Sequence, residues 1–218
     1  MPDTPLILAF DTSAAHCAAA LLSGDKILVS VEEPMAKGQG ERLLVLCAEV
    51  LEKAGKTYAD LNAIGVGIGP GNFTGIRISV SAARGLALGL GIPAIGVSRL
   101  EALAFSTDGL VIASIDARQD KMFVQVIGTL DERVPVMCTL DDLPMVPSRD
   151  DPTCIGFQAE MIAALCNGSV RAPRMPVAEA TARLAAQRLH LENPRPAPLY
   201  LRPADAAPAR DTPPPILP

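Results

Sequence analysis

One pattern occurs twice in this chain, and it limits the fold more than any single motif does. Residues 7–22 read ILAFDTSAAHCAAALL, and residues 112–127 read IASIDARQDKMFVQVI. Each copy is an apolar run ending in an aspartate, a short polar turn and a second run. A turn containing glycine (Gly24, Gly128) and a third run follow. Asp11 and Asp116 hold the same place in the two copies, 105 residues apart. The shared length and the mid-chain offset favour a duplicated unit over chance.

Between the copies the pattern turns helical. Residues 39–54 place Leu43, Leu44, Cys47, Val50, Leu51 and Ala54 at helical spacing, and Gly55 stands where a helix would stop. NAIGVGIG (62–69) and IPAIGV (92–97) read as buried strands on either side of a helix over about 72–90. Ser98 is placed to cap a further helix. A helix between two buried strands implies a parallel crossover. After the second copy, residues 141–152 form a Pro- and Asp-rich connector, TCIGF (153–157) a strand, and 159–166 and 178–190 two helices. From Asn193 nine of 26 residues are proline, so this tail is expected to lie over a surface or stay loose. Apolar residues are 49% of the 218 but aromatics only 3%, so aliphatic side chains must build the core. The expected division is a first lobe over 1–105, a thinner second lobe over 106–192 and a proline-rich tail over 193–218.

The formal charge is -5 and no long basic run occurs, which argues against this chain gripping a nucleic-acid backbone by itself. The five cysteines, Cys17, Cys47, Cys138, Cys154 and Cys166, are scattered and odd in number, as expected for reduced thiols in the cytoplasm. The start of the chain lacks a basic segment before its apolar run, so no signal peptide is expected. No stretch is long and apolar enough to span a bilayer.

The sequence GPGNFTG, from Gly69 and Pro70 through Gly71, Asn72, Phe73 and Thr74 to Gly75, suggests a phosphate loop. Its spacing fits neither the lysine-bearing phosphate loop nor GxGxxG. A structural role asks for less. Pro70-Gly71 makes a tight turn with a positive φ at Gly71, Asn72 caps the next helix, and Gly75 lets its first turn pack closely. Free amides there could still receive an anion, so that role stays open. Elsewhere the two histidines, His16 and His190, are far apart, and no metal-binding or Ser-His-Asp pattern forms around them. Asp11, Thr12 and Ser13 can close a strand by bonding their own backbone.

The helix over 73–90 has only two charges, Arg77 and Arg84, on one face, and many small residues. Ile76, Val80, Ala83, Ala87 and Leu90 suit the sheet. A helix with one solvent face normally carries a wider charged stripe. This helix is therefore either wholly buried or one that docks a partner, and partner contact is expected of Arg77, Val80, Ser81, Arg84 and Leu88. The helix over 40–54 would complete the patch with Arg42, Leu46, Glu49 and Lys53.

The duplicated arrangement resembles the two-lobed actin-like, ribonuclease-H-like ATPase fold: α/β, duplicated mixed sheets flanked by helices, here with a reduced second lobe. ILAFDTS, GVGIGPGNFTGIRISVSAARGLALG, IPAIGVSRLEALA, IDAR and PLYLRP closely resemble the TsaB family, densely over 6–118 and again at 198–203. The resemblance implies a non-catalytic, cytoplasmic scaffold that dimerises with its paralogue TsaD through the two first-lobe helices. That pair forms threonylcarbamoyladenosine beside the tRNA anticodon, with TsaE joining it and tRNA reached only indirectly. It implies a vestigial phosphate motif at Asp11, Thr12 and Ser13, no resident metal, no tightly bound cofactor, and ATP or ADP only at a subunit interface. Where TsaD carries the histidine-rich VHHLEAH, this chain reads VSRLEAL, with Ser98, Arg99 and Leu103 in place of ligand positions. It departs from its relatives at Gln39, where many have His, and over 119–123. Isolated chains could pair through the same helices. An ATP-binding kinase or acyl-transferase of the actin-like class stays open through Asp11, while a metallopeptidase is disfavoured by the missing ligands.

Overall fold

The computed structural model describes residues 4–129, 134–144 and 151–201. The chain opens with strands β1 (Leu6–Asp11), β2 (His16–Ser23) and β3 (Lys26–Pro34), followed by helix α1 (Gln39–Lys53). Strand β4 (Ala63–Gly67), helix α2 (Phe73–Leu90), strand β5 (Ala94–Val97) and helix α3 (Arg99–Ala104) complete the first half. The second half contains β6 (Val111–Arg118), β7 (Lys121–Ile127), β8 (Val136–Cys138), β9 (Thr153–Gly156), α4 (Ala159–Cys166), β10 (Ser169–Val170) and α5 (Val177–Arg188).

The duplication is present in the topology. One sheet runs β3-β2-β1-β4-β5 and the other β10-β9-β6-β7-β8, which read from β8 is the same order. In each the first two pairings are antiparallel, and the last two strands add in parallel. This is the two-lobed actin-like frame. Alternating apolar residues of β1 and β4 (Leu8, Phe10, Ile64, Val66) meet α1 on one face of the first sheet. Ile7, Ala9 and Ile95 meet α5 on the other.

The linear division into lobes needs correcting at two helices. α3, expected with the first lobe, packs Leu100 and Ala104 against Val111, Ala113, Ile115 and Phe123 of the second sheet. α5, expected with the second, lays Ala182 and Ala185 on the first sheet. Small alanines let the α5 backbone come close, and Gly65 of β4 leaves room for it: a Cβ there would crowd that of Ala185 at 3.1 Å. The chain thus crosses between lobes twice, which ties them together.

The phase of α1 also differs from expectation. Leu43, Leu46, Cys47, Val50 and Leu51 are buried, an i, i+3, i+4, i+7, i+8 stripe, while Leu44 is 48% exposed. Leu44, expected in the core, faces outward, and Leu46, expected on the surface, is buried. The helix ends as expected at Gly55 (φ 64°), whose amide bonds Glu52 O at 2.9 Å while Lys56 N bonds Leu51 O at 2.9 Å, a Schellman closure. Residues 145–150 of the connector and 202–218 of the tail lie outside the described residues.

Candidate functional site

Two loops meet at the ends of β1 and β4. Asp11, Thr12 and Ser13 are completely buried. The Asp11 carboxylate accepts from the Ser13 amide (2.8 Å) and hydroxyl (2.9 Å) and pairs with His16 Nε2 at 2.7 Å. The other His16 nitrogen faces Glu32 at 3.6 Å. Burial pushes the Asp11 carboxyl up. The hydrogen bond and charge of His16, the charge of Arg99 and the Ser13 amide outweigh it and hold the carboxyl below its ordinary range.

The GPGNFTG loop closes over Thr12 and Ser13, and Gly67 of β4 abuts Asp11. A Cβ at Gly67 would stand 1.7 Å from Asp11 Oδ2, one at Gly71 2.2 Å from Ser13 O, and one at Gly75 1.9 Å from Thr12 O. The backbone therefore approaches as only glycine permits. Thr12 Oγ1 donates to Gly75 O at 2.6 Å, and Asn72 N donates to Ser13 O at 2.7 Å. Asn72 caps α2 as expected, its side-chain oxygen accepting from the amides of Thr74 (3.0 Å) and Gly75 (3.1 Å). The turn itself differs from expectation. Gly69 supplies the left-handed residue (φ 92°), the Gly69–Pro70 peptide is cis, and Gly71 is nearly extended at 159°. Gly71 is needed for the close approach to Ser13 instead. Asp11 is fully enclosed and already partnered, so its surroundings do not fit a metal-bound phosphate. Asn72 also takes two of the amides an incoming anion would use.

Ser98 caps α3 in a capping box with Glu101, and Arg99 N donates to Gly69 O at 2.7 Å. These residues brace the loop and the helix start. Among the described residues no three His, Cys, Asp or Glu side chains gather as a metal site.

The two helices stand side by side, and Gly40 of α1 lies close to Ile78 of α2, where a Cβ would stand 3.7 Å from Ile78 Cδ1. Around their N-termini is an open depression of about 420 Å³ lined by Lys37, Gln39, Asn72 and Thr74 among others. Gln39 is buried there and donates to Met35 O at 2.9 Å. The outer face carries Leu44, Val45 and Leu88, the last 83% exposed, with Ser81, Arg77, Arg84 and Lys53 also exposed. Two residues expected to meet a partner do not reach it: Leu46 (0% exposed) and Val80 (3%) lie in the core. Arg42 and Glu49, expected on the same stripe, are engaged within the chain. The Arg42 guanidinium binds Glu33 (2.6 Å) and Glu49 (2.7 Å), and those contacts hold both carboxyls below their ordinary range. Val45 was missed. It sits one position from Leu46, and only the correct helical phase turns it outward.

A further contact was also missed. Arg77 Nε donates to the Tyr200 hydroxyl at 2.7 Å, and its guanidinium lies 3.7 Å over the Phe73 ring. No local sequence signal joins residues 123 positions apart.

The family model for TsaD, tRNA N6-adenosine threonylcarbamoyltransferase, matches residues 33–143. The TsaB protein of Escherichia coli K12 is 38% identical over 122 residues, 54% of this chain and 52% of that one. This chain therefore spans about half the length of that relative. Bacillus subtilis TsaB is 34% identical over 155 residues, 67% of this chain and 68% of its own. A crystal structure from Pseudomonas aeruginosa, of an uncharacterised protein with similarity to peptidase YeaZ, superposes with TM-score 0.76 at 27% identity, covering 91% of this chain and all of that one. With a family model over half its length and a relative matched over two thirds of both chains, this chain belongs to the TsaB family.

Proposed function

We propose that this chain is a non-catalytic subunit of tRNA threonylcarbamoyladenosine formation, docking the catalytic TsaD through the outer face of α1 and α2. One observation carries the reading. Beside internally paired charges, the two helices hold out Leu44, Val45 and Leu88, with Leu88 83% exposed. Apolar side chains projecting from adjacent helices gain from burial against a partner, while Arg42, Glu33 and Glu49 ask nothing of one. The names of the relatives supply the process. The sealed Asp11 supports a scaffold over a kinase or acyl-transferase.

In this reading TsaE joins the complex after TsaD, in the cytoplasm. tRNA is held by the partner rather than by this acidic chain. The same face pairs two copies when TsaD is absent. No cofactor is held tightly by the chain alone, and ATP or ADP would sit only where the partner completes a site.

Leu88→Glu combined with Leu44→Glu places two carboxylates in the proposed contact. Both residues are exposed, so the isolated chain should melt as the parent does. Co-purification with TsaD and the modified nucleoside in cellular tRNA should both be lost. A double variant that still co-purifies with TsaD and supports normal modification overturns the reading. Leu46→Glu is unsuitable for this test, because that side chain is in the core.

A further inference from the structure

The segment after α5 is not a loose end over 194–201. Asn193 Nδ2 donates to the carbonyls of Arg188 (2.7 Å) and Leu191 (2.9 Å), which closes the helix and turns the chain back. Pro196 is buried beside Gly96 of β5, where a Cβ would stand 3.6 Å from that of Pro196. Leu199 N donates to Ile68 O at 2.8 Å, at the end of β4. Leu201, half-buried, packs against the second-lobe cluster that contains Leu100, Ile115 and Phe123. Between these two anchors stands Tyr200. Its ring centre lies 4.9 Å from that of Phe73, its hydroxyl accepts from Arg77, and the Arg77 guanidinium is 5.8 Å from its ring centre.

Arg77 is one of only two charges on α2, and it stands on the exposed face. A free arginine samples many rotamers and loses that freedom on docking. Here the guanidinium is held over one ring and hydrogen-bonded to a second, from a strap anchored in both lobes. We propose that Tyr200 is a positioning residue for docking: it fixes Arg77 in the orientation that meets the partner, and it makes that orientation depend on the seating of the strap against the second lobe. This rests on the TsaD-docking reading above. A strap that merely staples the lobes would affect melting but would not act through Arg77.

The test is a double-mutant cycle on the full chain, with affinity for purified TsaD read by titration calorimetry and melting followed in parallel. Tyr200→Phe keeps the ring and removes the hydroxyl; it should weaken docking about three-fold. Tyr200→Ala removes the second ring as well and should weaken it about ten-fold. In an Arg77→Ala background, itself weakened, Tyr200→Ala should cause no further loss. The proposal is overturned if Tyr200→Ala leaves docking unchanged, or weakens it by the same factor with and without Arg77. It is also overturned if Arg77→Ala docks as the parent does. If Leu88→Glu weakens docking in that last case, positioning alone has failed; if Leu88→Glu also docks normally, the docking face itself was wrong.

Discussion

The two lobes share a strand order and treat their aspartates in opposite ways. Asp11, in the first, is completely buried, bonded to Ser13 and His16 and pressed against Gly67 of β4. Asp116, at the same place in the second, is exposed and accepts from the Arg118 amide at 2.7 Å. The turn after it runs through three left-handed residues, Arg118, Gln119 and Asp120. A duplicated backbone therefore does not fix what its aspartate does; the neighbouring segment decides. In the first lobe Gly67, Gly71 and Gly75 let an 18-residue helix settle onto the turn. In the second, the eight-residue α4 starts from a left-handed Gln158, and residues 118–120 of the turn are exposed. In the first lobe the sealed turn is part of the packed mount that carries α1 and α2.

The largest expected effect tests that mount. Leu46 is fully buried between α1 and the first sheet, so Leu46→Ala should lower unfolding free energy by about 2–5 kcal/mol. Leu44→Ala, one turn-face away and half exposed, should change it by less than about 0.5 kcal/mol. Urea denaturation of both variants would measure this. Equal losses would mean that α1 is not seated in the phase described.

That pair of leucines also shows what could be read from the residues alone. The duplication was legible because strand, aspartate and turn recur locally, and the Asn72 cap and Gly55 stop were legible because such signals act within a turn of the helix. The phase of α1 was not, because Leu43, Leu44 and Leu46 offer two apolar stripes and only the sheet beneath selects one. The crossing of α3 and α5 between lobes and the Tyr200 strap are contacts between distant segments. A run such as PRPAPLYL has no periodicity to announce where it binds.

The next effect sets the two aspartates against each other directly. Asp11→Asn keeps the shape but removes the charge facing His16 in a site closed to water, and should cost about 1–3 kcal/mol. Asp116→Asn, in solvent, should fall within about 0.5 kcal/mol. Similar costs at both sites would erase the difference between the lobes.

The smallest effect is the pH dependence of the same contrast. The folded-state value of Asp11 lies below its unfolded value near 3.8, so the folded protein binds that proton less readily than the unfolded chain. Its contribution is thus present above about pH 3.8 and disappears as pH falls through the lower folded value. Urea midpoints of the parent and of Asp11→Asn, followed from pH 6 downward, should differ at the start and converge in acid. Asp116→Asn should instead track the parent throughout. A gap between parent and Asp11→Asn that stays constant into acid would mean that the carboxylate charge does not stabilise the fold. Asp11 would then hold the turn through its hydrogen bonds to Ser13 and His16, which an asparagine with one acceptor oxygen cannot fully reproduce.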